Sequence, residues 1–176
     1  TVSNAFIGAD EDNFVLTAGT GSLHVENLGD GESFMLPVGN ALYNPVTITN
    51  NSGDADNFSA RVIDVVLDNG LTGSAITEPH VGVTWDLGKN NPNAGSGVDF
   101  VFTWNVSQEV GTIPAFILNH HDGASWEIAA GTSGTPVGAT VKTMAHAGYT
   151  GTFSPFAVGP SATSALPVEL VGIQVN

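Results

Sequence analysis

The sequence contains no cysteine, only three basic residues and no long apolar run. Without cysteine, the fold cannot depend on disulfides or on thiolate metal sites. No apolar stretch approaches the roughly 18–20 residues of a membrane-spanning helix, so we expect no membrane insertion. Nucleic acids and anionic membranes bind basic surfaces. Because the formal net charge is −14, we expect neither as a partner.

The composition nevertheless favours a folded domain. Hydrophobic residues make up 41% of the 176 residues, which is more than disordered chains of high net charge contain. This length is sufficient for one domain with a sizeable core. The acidic balance makes divalent cations natural partners. The chain opens without a signal-peptide pattern, and we expect Thr1 to be a mature N terminus left by processing.

Apolar residues alternate with polar ones along most of the chain, which predicts β-strands separated by turns rich in glycine and proline. The predicted strands cover residues 13–18, 22–28, 33–37, 44–50, 57–67, 80–87, 97–106, 115–121, 125–129, 138–145, 149–158 and 166–175. No segment shows a helical stripe. Short strands at this spacing predict an all-β fold, a β-sandwich of immunoglobulin-like or jelly-roll-like type.

The C-terminal part of the chain differs from the rest. We expect the sandwich domain to cover residues 1–158 and the small, polar stretch GPSATSA, residues 159–165, to form a flexible linker. The segment LPVELVGIQVN, residues 166–176, then predicts one more strand. An unpaired strand exposes backbone donors and apolar side chains. It is therefore expected to pair either in its own sandwich or, by donation, in a neighbouring subunit.

The three tryptophans, Trp85, Trp104 and Trp126, fall on the apolar sides of their strands and predict core positions. A carbohydrate-binding surface would instead use exposed aromatic rings, so this assignment weakens that interpretation without removing it.

Calcium is the cofactor that the acidic residues favour. The stretch ADEDNFVLT, residues 9–17, recurs in altered form as GDADNFSAR, residues 53–61. Carboxylate and amide oxygens are the ligands that Ca²⁺ prefers. The candidate ligands are Asp10, Asp12, Asn13, Asp54, Asp56 and Asn57, with Asp30 and Glu32 in a further acidic turn. The alternative is that these residues only form turns, because Asp and Asn readily make Asx-turns.

Catalytic motifs are absent from the sequence. There is no G-x-S-x-G elbow and no H-E-x-x-H zinc motif. In the stretch NHHDG, residues 119–123, His120 and His121 point to opposite faces of a strand, so they do not readily bind one metal together. We therefore expect that the chain is not an enzyme.

Several phrases resemble a β-sandwich module of secreted surface proteins of the Bacteroidota, which are cargo of type IX secretion. They are SFMLPVGNALYNPVTITN (33–50), VTWDLG (83–88), WEIAAG (126–131) and FSPFAVGPSATSALPVEL (153–170). The stretch from Met35 to Gly39 departs mildly from the family, which usually has Phe directly before Pro-Val-Gly. The resemblance implies an extracellular or cell-surface location and implies no catalytic residues.

Two functions are consistent with these features. The first is an extracellular structural subunit that binds copies of itself and forms a surface filament or layer, stabilised by calcium and by donor-strand exchange. The alternative is a calcium-stabilised adhesin or carbohydrate-binding module of a larger surface protein.

Overall fold

The computed structural model describes residues 6–160. In chain order its strands are β1 (Val15–Leu16), β2 (Leu23–Leu28), β3 (Ser33–Leu36), β4 (Val38–Gly39), β5 (Val46–Asn50), β6 (Asp56–Ile63), β7 (Leu67–Asn69), β8 (Thr72–Ala75), β9 (His80–Val81), β10 (Thr84–Lys89), β11 (Val98–Asn105), β12 (Glu109–Val110), β13 (Ile117–His121), β14 (Trp126–Ile128), β15 (Thr132–Ser133), β16 (Val141–Tyr149) and β17 (Pro155–Gly159). One 3₁₀ turn, Val106–Gln108, follows β11.

Two antiparallel sheets form a β-sandwich, as the sequence predicts. The six-stranded sheet has the order β14-β13-β17-β10-β6-β2, and the five-stranded sheet has the order β15-β16-β11-β5-β3. Three two-stranded pairs, β1–β4, β9–β12 and β7–β8, complete the described strands. No helix within residues 6–160 is long and apolar enough to cross a membrane.

Alternation along each strand separates the core from the outer surfaces. In β11, Val98, Phe100, Phe102 and Trp104 are buried, while the residues between them face outward. On the neighbouring strand β5, Ile48 pairs with Phe100 and is also fully buried. These inward positions agree with the sequence prediction, because a period of two places alternate side chains on one face.

Aromatic rings join the two sheets. Phe156 of β17 lies 5.4 Å from Phe100 and 6.3 Å from Phe102, measured between ring centroids. The Trp85 ring on β10 lies 5.0 Å from the Phe102 ring in an edge-to-face arrangement. Burying each of these side chains contributes about 1.5–3 kcal/mol, and the edge-to-face geometry is one that aromatic pairs prefer.

Trp126 is buried as predicted, but it lies outside the main core. It belongs to a small cluster with Val66 and Ala157, against which Ile76 packs. The segment that contains β7 and β8 covers this cluster, and the carbonyl of Leu67 accepts a hydrogen bond from the Trp126 indole at 2.8 Å. The sequence did not predict β7 and β8, because both strands are short and mostly exposed.

Strand β17 extends one residue into the segment that the sequence assigns to the linker. Gly159, which the sequence assigns to the linker, is instead the last residue of β17 and pairs with Ile117. The remainder of the predicted linker after Pro160, and the predicted strand at 166–176, lie outside the described residues.

Candidate functional site

The first acidic stretch forms a self-contained turn. Oδ1 of Asp10 accepts hydrogen bonds from the backbone N–H of Asp12 at 3.0 Å and from the side-chain amide of Asn13 at 2.9 Å. These two hydrogen bonds, that from Asn13 above all, lower the pKa of Asp10. The turn is of the kind that Asp and Asn make without a ligand.

The second stretch places its carboxylate in a buried ion pair. Lys89 Nζ lies 2.5 Å from Oδ2 of Asp56, and both side chains are only 2% exposed. Asn91 donates to the same carboxylate from its backbone and from its side-chain amide. Burial alone would raise the pKa of Asp56, but the hydrogen bond from Lys89 and those from the backbone of Asn57 and Asn91 outweigh it, and the pKa is lowered.

Asn57 also serves the backbone in this structure. Its Oδ1 accepts a hydrogen bond from the backbone N–H of Asn27 at 2.8 Å. Asn27 has a positive φ of 56° and lies where the pairing of β2 with β6 shifts register. Asn tolerates this backbone conformation better than most residues, which suits Asn27 to the bulge. The hydrogen bond from Asn27 to Asn57 stabilises this bulge near the end of β2.

The remaining acidic candidates lie on two adjacent loops. Oδ1 of Asp30 accepts a hydrogen bond at 2.8 Å from Gly53, the residue before the exposed Asp54. Glu32 accepts from the backbone of Gly29 through Oε2. Across residues 6–160, no three His, Asp or Glu side chains are grouped closely enough to hold a metal ion.

Substitution of Lys89 tests the buried ion pair. We expect Lys89→Met to lower the free energy of unfolding by about 3–5 kcal/mol, because it leaves the buried Asp56 carboxylate without its cation. The matched control is Lys142→Met, which removes the partner of Glu109 in a pair that is 22% and 18% exposed and should therefore cost less than Lys89→Met. Urea unfolding measures both values. Equal losses for the two variants would contradict the assignment.

The histidines of β13 point to opposite faces, as the sequence predicts. His120 enters the core, with its ring 5.2 Å from Phe156 and 5.6 Å from Tyr149. His121 packs against Trp126 on the outer face, and its Nδ1 faces the backbone N–H of Gly123 at 3.1 Å. Neither Nε2 atom has a hydrogen-bond partner among the described residues.

A third buried histidine, His146 of β16, hydrogen-bonds to the segment between β14 and β15. His146 Nε2 lies 2.8 Å from the carbonyl oxygen of Ala130, and its Nδ1 lies 3.0 Å from Ser133 Oγ. Since the carbonyl can only accept, Nε2 carries the proton and Nδ1 accepts from Ser133. Ser133 Oγ in turn accepts from the backbone N–H of Leu118. Both ring nitrogens therefore make hydrogen bonds within the protein, and these bonds connect β16 to β15 and to the loop that contains Ala130.

Roles for Lys89, Ser133 and His146 were not predicted from the sequence. Lys89 lies 33 residues from Asp56 in the chain, and Ser133 lies 13 residues from His146. One signal pointed to Lys89: a chain with 17 acidic and three basic residues is expected to use each cation in a pair. No comparable signal linked Ser133 to His146, because both residue types are common on strands.

Acidification should destabilise the fold through these histidines. Burial lowers the pKa of both His120 and His146 below the ordinary 6.5. The unfolded chain therefore binds more protons than the folded chain as the pH falls through about 6.5. The free energy of unfolding should be fully developed above that pH and should decrease below it.

Urea unfolding between about pH 5.5 and 8 measures this dependence. His120→Gln should flatten the curve, whereas substitution of the exposed His24 by Gln should leave its slope unchanged. A wild-type stability that stays constant or increases on acidification across this range would show that the buried histidines do not control it.

The outer surface of the five-stranded sheet is nearly uncharged. We call it the threonine face; it consists of Ser33, Met35, Thr47, Thr49, Asp99, Val101, Thr103, Val141, Thr143, Ala145 and Ala147. Strand pairing aligns Met35, Thr47, Val101 and Ala145 in one row across four strands.

The one charge on the threonine face is held by neighbouring groups. Asp99 accepts a hydrogen bond from the backbone of Gly148 at 2.7 Å and another from the Asn51 amide at 3.0 Å. Met35 and Val101 are each 37% exposed, and Val141 is 45% exposed. The opposite sheet differs, because its outer surface carries the Arg61–Asp86 ion pair and is partly covered at Trp126.

A groove of about 530 Å³ lies between residues 88–93 and 150–153. Its polar lining includes Asn90, Asn91, Asn93 and Thr150, and Phe153 contributes an aromatic edge. The charge of Lys89 beside it is already neutralised by Asp56. We call this the asparagine groove; the side-chain amides of Asn91 and Asn93 already donate within the protein, and the absence of an unneutralised charge in the lining suits a neutral ligand.

Comparison of the chain with family models, with curated proteins and with solved structures finds no match.

Proposed function

We propose that this chain is an extracellular structural subunit, not an enzyme, and that it associates with copies of itself through the threonine face. The observation that carries the proposal is the contrast between this face and the rest of the molecule. The chain has a formal net charge of −14, yet the single carboxylate of this face is fixed by hydrogen bonds.

Electrostatics favours this face over others. Copies of a strongly acidic chain repel one another wherever free carboxylates meet. On the threonine face the exposed groups are instead hydroxyls and small apolar side chains. Two such sheets can pack face to face at about 10 Å, so the approach of two copies there brings the fewest like charges together.

The size of the face limits the strength of the contact. Five strands spaced at about 4.8 Å, each about five residues long at ~3.3 Å per residue, cover roughly 400 Å². Stable interfaces bury about 800 Å² per partner. A single face-to-face contact is therefore weak, and a durable filament or layer needs a second contact between copies.

The other parts of the proposal rest on the sequence. The extracellular location is supported by the resemblance of residues 33–50 and 153–170 to secreted surface modules of the Bacteroidota. The non-catalytic role rests on the sequence, which contains neither a G-x-S-x-G nor an H-E-x-x-H motif. The donated C-terminal strand stays a prediction, because residues 161–176 are outside the described chain.

A single substitution tests self-association. We expect Val101→Asp to weaken it at least about tenfold, or 1.4 kcal/mol, because the new carboxylates face each other across the contact. The matched control is Leu71→Asp, since Leu71 is an aliphatic residue of similar exposure, 38% against 37% for Val101, that lies between β7 and β8, away from the face.

Sedimentation velocity across a concentration series, followed by negative-stain microscopy, measures the association of each variant. Equal association of wild type and Val101→Asp would refute the threonine face as the contact. A wild type that stays monomeric at every concentration would refute self-association itself.

Calcium is the second component of the proposal, and the loops of Asp30 and Asp54 are its best location. Because these loops lie against each other, a bound dication would offset the repulsion between their carboxylates. Calcium in a hundredfold excess over its Kd should stabilise the fold by about 2.7 kcal/mol.

Thermal unfolding in Ca²⁺ and in EGTA measures this effect. Asp54→Asn should reduce the difference between the two conditions, whereas Glu127→Gln, which removes an exposed charge of β14, should not. If the melting temperature of the wild type is the same in both conditions, calcium is not a ligand of the fold.

The asparagine groove favours one alternative function, a binding module for a neutral, hydroxyl-rich ligand such as a carbohydrate. Its volume of about 530 Å³ falls in the range of small-molecule sites, about 300–1,000 Å³. Saturable binding of a neutral oligosaccharide by a chain that remains monomeric would favour this alternative over the structural subunit.

A further inference from the structure

We propose that residues 161–176 dock on their own domain, in a groove at the end of the sandwich where β17 finishes. We call this cavity of about 430 Å³ the Val110 groove; its apolar lining includes Leu42, Val65, Ile76 and Val110. The inference concerns the same C-terminal segment as the proposed function, but it does not depend on self-association.

The groove lies beside the point at which the described chain leaves the sandwich. Thr84 of β10 pairs with Ile63 of β6 on one side and with Ala157 of β17 on the other. Continuing these registers places Gly159 level with Gly82, which lines the groove. Neighbouring strands are about 4.8 Å apart, so the chain at Pro160 is about one strand width from the groove.

The lining of the groove suits an apolar peptide. Leu42 is 38% exposed and Val110 is 40% exposed. The polar groups of the lining are already engaged: Asp64 accepts a hydrogen bond from the backbone of Ala41, and His80 Nδ1 lies 2.6 Å from the carbonyl of Glu78. The groove therefore offers mainly apolar surface to a ligand, with the exposed Asp64 carboxylate as the one acidic group of its lining.

The C-terminal segment has matching chemistry. Between residues 161 and 176 the single charged residue is Glu169, and the apolar residues are Ala162, Ala165, Leu166, Val168, Leu170, Val171, Ile173 and Val175. Burying aliphatic side chains of this kind contributes about 1.5–3 kcal/mol each. The segment and the groove thus each present apolar surface that the other can cover.

The backbone of the groove also provides a partner for a peptide. Strands β9 and β12 pair with each other, and each has one neighbour only within the described part of the chain. An added strand would obtain main-chain hydrogen bonds from such an edge and specificity from the adjoining apolar side chains.

Proximity favours the chain's own segment over that of a neighbour. A random coil of five residues, the number from Ser161 to Ala165, spans roughly 12 Å, which is more than the strand width between Pro160 and the groove. A tethered segment acts at an effective concentration in the millimolar range. A neighbour's segment would have to compete with that concentration.

Hydrogen exchange of the full-length chain, followed by mass spectrometry, tests the docking. We expect the amides of residues 166–175 to exchange at least about tenfold more slowly than in a free peptide of the same sequence. Val110→Asp should return them to the rate of the free peptide, because it places a carboxylate in the apolar lining. Val101→Asp should leave the protection intact, while core amides of β11 report that both variants remain folded.

The pattern of results separates this inference from the proposed self-association. Loss of tail protection in Val110→Asp together with loss of association in Val101→Asp supports both proposals independently. Protection that is absent in the wild type, or that both variants lose equally, overturns the docking. Protection that falls on dilution overturns the assignment to the chain's own segment and assigns the groove to a neighbour's.

The absence of cysteine permits a second test. We expect the pair Val110→Cys and Val168→Cys to form a disulfide within one monomer under dilute oxidising conditions. The control pair, Val101→Cys and Val168→Cys, should not do so. Intermolecular disulfides alone from the first pair, or equal crosslinking of both pairs, would contradict docking in the Val110 groove.

Discussion

The packing of aromatic rings between the two sheets is the contact on which the other features depend. Phe100 and Phe102 of β11 meet Phe156 of β17, and the Tyr149 ring lies 5.0 Å from the Phe156 ring at nearly a right angle. This cluster fixes the distance and alignment of the sheets. Because Tyr149 and Phe156 flank the turn at 150–153, the same packing also positions one wall of the asparagine groove.

The alternation of apolar residues predicted the sandwich because the core consists of regular strands with a period of two. Val98, Phe100 and Phe102 could be assigned to the core from local spacing alone. The same reasoning placed Trp126 in that core. It missed the second apolar cluster because the covering strands β7 and β8 are short and exposed, and they therefore carry little periodic signal.

The two acidic stretches show where local patterns fail. Asp12 and Asp56 occupy equivalent positions in similar sequences, yet Asp12 lies in an exposed turn and Asp56 in a buried ion pair. What separates them is Lys89, which lies 33 residues from Asp56 in the chain. Local sequence predicts which groups a residue can offer, but a contact of this separation is decided by the pairing of β6 with β10.

The pairing of the three basic side chains determines which charges remain at the surface of this acidic chain. The chain has three basic residues, and each is paired with a carboxylate: Arg61 with Asp86, Lys89 with Asp56 and Lys142 with Glu109. No cation is left over to attract the acidic surface of another copy. In the proposed self-association, attraction between copies must therefore come from uncharged surface or from ions in solution.

In the proposed self-association, this constraint limits what the threonine face can do alone. A contact of roughly 400 Å² per copy is below the area of a stable pair, but contacts gain strength when a second link holds the same molecules together, because the later contact forms at high effective concentration. If each chain's C-terminal segment covers its own Val110 groove, that second link is not strand donation. Bridging cations between acidic loops would then supply it. The proposed assembly would in that case depend on calcium more than on the tail.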